Sequence, residues 1–223
     1  MKLRRIIVLT LALILTASAI ISAAPPAPVA PESTLVSASP SQAGAALEKL
    51  EVKGRAAKTG YSRDEFGAGW RIVSGCDTRQ IILFRDLSDV TLRDSCTIQS
   101  GTLRDPYTGM TLSFRRDDSD AVQIDHVVAL SDAWQKGAQL LSRDERIDLA
   151  NDPLELLAVD GPTNQEKGDS DAASWLPPNA SFRCEYVARQ IAVKQKYRLW
   201  VTAAEKEAMK SVLSRCPDAA LPV

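Results

Sequence analysis

The chain has 223 residues, 45% of them hydrophobic and no internal repeat, which excludes a repeat array and leaves room for one ordinary domain with a real core. Lysine and arginine number 27 against 28 aspartate and glutamate, a net charge of −1, so the chain is not the strongly basic type whose affinity rests on phosphate contacts alone.

In chain order, Lys2, Arg4 and Arg5 precede an apolar stretch from Ile6 to Ile21 and the small residues Ser22-Ala23-Ala24. This reads as a secretory signal peptide over residues 1–23, cleaved near Ala23. Its apolar core is shorter than the ~20 residues of a typical membrane-spanning helix; an uncleaved signal acting as a membrane anchor is the alternative. No cysteine follows closely enough to accept a lipid. Cleavage leaves 24 basic against 28 acidic residues and implies no stable membrane association. Residues 24–43, opening with Pro25-Pro26-Ala27-Pro28, read as an extended spacer. The domain is expected over 44–217, with 218–223 as a tail.

Within it, Ala45–Leu50 reads as helix and Gly60–Trp70 as a loop carrying Tyr61, Arg63 and Asp64. Residues 121–130 form a short β-branched apolar strand interrupted by Asp125-His126. Helices are expected over Leu130–Leu141 and Arg143–Ala150. A second apolar run, Pro153–Val159, is closed by the turn Asp160-Gly161-Pro162. Thr163 then suits an N-cap, with Glu166 in capping-box spacing, and the helix it opens puts Asn164 and Lys167 on one face. Tyr186–Trp200 and Thr202–Leu213 read as C-terminal helices, and Trp134, Trp175 and Trp200 as core.

His126 is the only histidine in the chain. A lone histidine is more often a surface or satisfied core residue than a catalyst. A polar pair inside an apolar strand, however, has no packing reason to be there, and such a local contradiction marks functional sites. Imidazole is the side chain whose ordinary pKa lies near neutrality, and the adjacent carboxylate can orient it or bind a hard cation.

Strand with Asp125-His126, second strand, tight turn and helix with Asn164-x-x-Lys167 together resemble the ββα-metal fold of HNH endonucleases. The text around them resembles the secreted bacterial branch of that group, from about Leu47 to Cys216, including Thr59-Gly60-Tyr61-Ser62-Arg63, Cys76-Asp77-Thr78-Arg79, Asp105-Pro106-Tyr107-Thr108-Gly109 and Trp175-Leu176-Pro177-Pro178-Asn179. The resemblance implies an α+β fold, a ββα-metal core with additional helices. It implies His126 as general base, Asp125 and Asn164 as oxygen ligands of Mg²⁺ or Mn²⁺, and Lys167 as a positive charge near the phosphate. One position departs from the family: the asparagine that usually braces the loop behind the histidine is Glu155 here. Asn151 offers a nearby amide, but on the far side of Pro153.

The implied function is a secreted, metal-dependent endonuclease acting on DNA with little sequence preference, since nothing resembles a base-reading module. RNA remains a possible substrate. Other classes are an extracellular binding module that kept the scaffold and lost activity, for which Glu155 speaks, and a hydrolase of another bond. Against the latter, one histidine excludes His-x-x-x-His zinc chemistry, and no Gly-x-Ser-x-Gly elbow is present. Residues 117–171 are acidic and 181–216 basic, which makes Arg183, Arg189, Lys194, Lys196 and Arg198, with Arg79, candidates for phosphate contact.

Cys76, Cys96, Cys184 and Cys216 contain no Cys-x-x-Cys pair, so no zinc is expected. Four cysteines in a secreted chain point to two disulfides, for which sequence allows three pairings. Cys76–Cys96 with Cys184–Cys216 is favoured because each closes a local loop.

Overall fold

The computed structural model describes residues 41–118 and 120–222. The signal-peptide reading and all but the last three residues of the spacer lie outside them.

The first helix, α1 (Gln42–Lys49), is capped by Ser41 and buries Ala43, Ala46 and Leu47. Helix α1 thus starts inside the stretch read as spacer. A loop follows, containing a 3₁₀ turn at Arg63–Phe66. Next come elements that no sequence pattern above announces: the short antiparallel pair β1 (Ile72–Val73) and β2 (Cys76–Asp77), helix α2 (Thr78–Asp86), and the antiparallel sheet β3 (Leu87–Leu92), β4 (Ile98–Arg104) and β5 (Thr111–Arg115).

Strand β6 (Val122–His126) pairs antiparallel with β7 (Leu156–Asp160), Val122 opposite Asp160 and His126 opposite Leu156. Between them lie α3 (Leu130–Gln135) and α4 (Arg143–Ala150). The single helix expected over Leu130–Leu141 breaks at Gly137, which has φ 121° and where a Cβ would come 3.1 Å from the Trp200 ring; a 3₁₀ turn follows at Ala138–Leu140.

β7 runs directly into α5 (Gly161–Lys167), capped by Asp160 accepting from the Thr163 amide. Asp160, not Thr163, is therefore the N-cap, because the turn is already helical at Gly161. A Cβ at Gly161 would lie 1.9 Å from the Asp120 carbonyl oxygen, so the strand-to-helix turn admits only glycine. The chain ends in α6 (Arg183–Lys196) and α7 (Ala203–Leu213); α7 carries the expected Thr202–Glu205 capping box. α6 stops four residues short of expectation, as Arg198 takes φ 54° and turns the chain toward an isolated parallel bridge between Val201 and Val52.

The core has two parts, and the β6–β7 pair is the wall between them. Val122, Ile124, Leu156 and Ala158 pack with α2 and the three-stranded sheet, through Ile82, Leu83, Ile98, Leu103 and Phe114. Leu157 and Val159 face the other way, into the larger cluster with Tyr107, Tyr186, Ile191 and Val201. Period-2 alternation with apolar residues on both faces is why β7 reads in sequence as an unbroken apolar run. Both disulfides form as expected, Cys76–Cys96 and Cys184–Cys216, with Cα–Cα separations of 5.3 and 6.0 Å. The fold is a mix of helix and strand stapled by two disulfides, and no helix among the described residues is long and apolar enough to cross a membrane.

Candidate active site

β6 ends on Asp125-His126, and strand alternation sends the two side chains to opposite faces. His126 lies on the side of the smaller cluster, buried, with the Trp70 ring parallel to it at a centroid distance of 5.8 Å. Its Nε2 is 3.0 Å from the carbonyl oxygen of Ala150, the last residue of α4. A carbonyl can only accept, so Nε2 carries the hydrogen and Nδ1 keeps a lone pair. Burial, then the Arg63 charge and, more weakly, Lys167 hold the imidazole pKa down to about 3 against the opposing pull of the Ala150 bond. The ring is neutral throughout the physiological range.

Asp125 faces the larger cluster and is held from two sides. Lys167 Nζ donates to its Oδ1 at 2.8 Å, and the Tyr107 hydroxyl donates to Oδ2. Lys167 also donates to the His126 carbonyl oxygen at 2.8 Å, so one ammonium ties down both halves of the dipeptide. Burial and the Asp125 charge push the Tyr107 phenol well above its ordinary pKa, which keeps it a donor. Its loop is set by Asp105, which accepts from the amides of Tyr107, Thr108 and, at the end of β7, Asp160.

Glu155 is fully buried and accepts from the Val128 amide at 3.2 Å, while its own carbonyl accepts from Val127 at 2.9 Å. It thus stands behind the histidine where the resemblance expects an asparagine. Burial pushes its carboxyl well above the usual range, which favours the neutral acid, and its Oε1 has no hydrogen-bond partner. A neutral carboxyl offers an amide-like donor and acceptor pair. Asn151 plays another part: its Oδ1 accepts from the Arg71 amide at 2.8 Å, fixing the segment that presents Trp70.

Asn164, on α5, donates from Nδ2 to Gln123 Oε1 at 2.9 Å. It shares a depression of 210 Å³ with Asp125, His126, Tyr61, Arg63 and Asp169. A second depression, of 230 Å³, is lined by His126 together with Arg63, Asp64, Phe66, Trp70 and Ala150.

The expected residues therefore divide. Asp125, His126 and Asn164 come together at one depression, with Glu155 and Lys167 behind them. Lys167 is corrected from a charge presented to phosphate to a buried partner of Asp125, 1% exposed. Lys194 is corrected too: fully buried, it pairs with Glu205 at 3.0 Å. Arg79 lies over the Phe114 ring, Arg183 donates to the Pro177 carbonyl, Arg189 to that of Leu154, Lys196 pairs with Asp152 and Arg198 with Glu145. None of these lines either depression beside His126. Sequence reasoning missed Tyr107, Trp70 and the site role of Arg63. The signals were an aromatic inside the Asp-Pro-Tyr-Thr-Gly turn and a glycine-rich loop bearing tyrosine, arginine and tryptophan.

Asp125 and Asn164 offer hard oxygen donors on one depression, and among the described residues no cluster of three His, Cys, Asp or Glu side chains could enclose a metal. A cation held there would need water for most of its shell, the coordination style of Mg²⁺, and would share Asp125 oxygens that already accept from Lys167 and Tyr107. All four cysteines are taken up in the two disulfides.

Residues 77–212 match the family model described as GmrSD restriction endonucleases, C-terminal domain. The chain belongs to this family. The GmrSD-type match encloses Asp125, His126, Glu155, Asn164 and Lys167, and begins after Arg63 and Trp70. An "uncharacterized secreted protein" of Arthroderma benhamiae is 42% identical over 202 residues, covering 89% of this chain and 96% of the relative. That relative is fungal, so the likeness is not confined to bacteria. No solved structure matches the chain.

Proposed function

We propose that this GmrSD-type chain is an exported endonuclease of the HNH kind, with β6, β7 and α5 as its ββα-metal finger, hydrolysing phosphodiester bonds of DNA. The observation that carries the reading is the state of His126. It is neutral, its Nε2 hydrogen is engaged by Ala150, its Nδ1 keeps a lone pair, and the residue lines a depression shared with Asp125 and Asn164.

His126 Nδ1 takes the proton from an attacking water, and the Ala150 carbonyl fixes the tautomer and steadies the imidazolium that forms. Asp125 and Asn164 would hold the divalent cation, which when bound supplies charge neutralisation at the phosphoryl and departing oxygens. Lys167 and Tyr107 hold the Asp125 carboxylate in place, and Glu155 keeps the turn behind His126 from shifting. Export is supported by the leader-like N-terminus, the two disulfides and the printed description of the Arthroderma relative.

One observation favours a second reading, a binding module on the same scaffold: both Asp125 oxygens are already engaged by the protein's own donors. Incubating the oxidised chain with plasmid DNA, RNA and single strands, in Mg²⁺ or EDTA, separates the two. Cleavage with Mg²⁺ that EDTA abolishes supports the nuclease. Binding without cleavage of any substrate, in Mg²⁺ or Mn²⁺, supports the module.

A further inference from the structure

Arg63 occupies the corner where the two depressions flanking His126 meet, and it lines both. Its turn is anchored on the side facing the protein. Phe66 is buried with its ring edge-on to Tyr61 and Trp134, and Glu65 accepts from Arg146 through both its carbonyl and its carboxylate, at 3.0 and 2.8 Å. The Arg63 side chain is exposed and makes no ion pair or hydrogen bond among the described residues. Its neighbours differ: Arg55 pairs with Asp132 and Asp171, Arg71 with Asp148, and Arg146 with Glu65.

The carboxylates lining the depressions do not neutralise it. Asp125 is taken by Lys167 and Tyr107, Asp169 by Lys58 at 3.0 Å, and Asp64, the next residue along, forms no ion pair with it. A guanidinium set beside a buried imidazole without a counter-charge disfavours only the protonated ring; an anion seated there would be favoured by the same field. The planar five-donor fork matches two oxygens of a phosphate, which a lysine ammonium cannot do.

We propose that Arg63 is the phosphate-holding residue of this site, taking two oxygens of a phosphate ester at the corner between the depressions. The inference rests on the nuclease reading for its substrate, but the anion site stands on Arg63 itself, which lies outside the span matched by the family model.

The test uses the full oxidised chain and the variants Arg63→Gln and Arg63→Lys. Inorganic phosphate is titrated while the His126 ring signals are followed by NMR and the tryptophan emission by fluorescence. Cleavage is assayed in parallel. Phosphate should move the His126 signals in the unmodified protein and leave them still in Arg63→Gln. That variant should cleave ~10²–10³-fold more slowly, the scale of losing one preorganised charge donor, with Arg63→Lys in between. Unchanged phosphate affinity in Arg63→Gln, or wild-type cleavage by it, overturns the proposal and leaves the nuclease reading intact. Phosphate binding that depends on Arg63 in a chain that cleaves no nucleic acid keeps the anion site and removes the nuclease.

Discussion

His126 has one nitrogen committed and one free, and no second histidine can take its place. His126→Ala is therefore expected to lower cleavage by ~10²–10⁴-fold with folding intact, the scale of losing a general base; wild-type turnover would remove the role. Its depressed pKa has a pH signature. The ordinary value of about 6.5 applies to the unfolded chain, whereas the folded value is held down to about 3. Between the two, the unfolded state binds the extra proton, so this residue's contribution to stability is complete above the unfolded value and declines as pH falls toward the folded one. The base form likewise survives acidification, and the acid limb of the pH–rate profile should lie below the ordinary histidine range. A limb centred near pH 6.5, an estimate from the ordinary value, would contradict the burial argument. Glu155 makes a third case. Because burial favours its neutral form, Glu155→Gln should retain activity, whereas Glu155→Ala frees the Val128 amide and should lower activity without altering metal dependence. Cleavage assays on the pair, with thermal melts as controls, decide it; loss of activity in the glutamine variant would mean that the carboxyl matters as an acid.

The roles of Asp125, His126 and Asn164 could be proposed from sequence because they lie in two local motifs. The role of Lys167 was misread because its helix spacing gives a shared face with Asn164 but not what that face meets. At the scale of elements the order β6, β7, turn and α5 was legible for a related reason. β7 is apolar on both faces, and Asp160-Gly161-Pro162 announces the turn. The sheet β3–β4–β5 was not, since its buried positions, Leu87, Ile98, Leu103 and Phe114, are spread thinly among exposed polar residues, and only contact with α2 and β6 makes them a core. Two predictions belong here. Asp160→Ala removes the cap that starts α5 and should cost about 1 kcal/mol of stability, while loosening the helix that carries Asn164 and Lys167; a denaturation midpoint equal to wild type would show that the strand alone sets the turn. Breaking Cys184–Cys216, which closes a 32-residue separation between α6 and the segment after α7, should cost about 3–4 kcal/mol from unfolded-state entropy, read as a lower melting temperature in Cys184→Ser/Cys216→Ser.

Across the whole molecule, the larger cluster is tied together by charge as well as by apolar packing. Lys136 Nζ meets Asp132, Asp171 and Glu205 at 2.6–2.8 Å, with Lys194 and Arg55 completing three cations against three anions. These groups come from α1's trailing segment, α3, α6, α7 and the stretch after α5, and no local pattern in the sequence shows that they converge. Lys136→Met leaves buried carboxylates uncompensated and should destabilise by about 3–5 kcal/mol. Chemical denaturation would check it, and a loss under 1 kcal/mol, by the same estimate, would mean the carboxylates take up protons instead.

The β6–β7 wall gives the site a particular way of failing. Neither disulfide crosses that wall: Cys76–Cys96 lies with the three-stranded sheet, and Cys184–Cys216 with the C-terminal helices. Each half can be held by its own bridge while heat or protease separates them, yet the histidine and the aspartate point into different halves from adjacent residues. For the nuclease proposed above, this arrangement leaves no partly opened form that still works. Its activity should vanish together with slow amide exchange along β6 and β7, and cleaved or half-unfolded molecules should be inert.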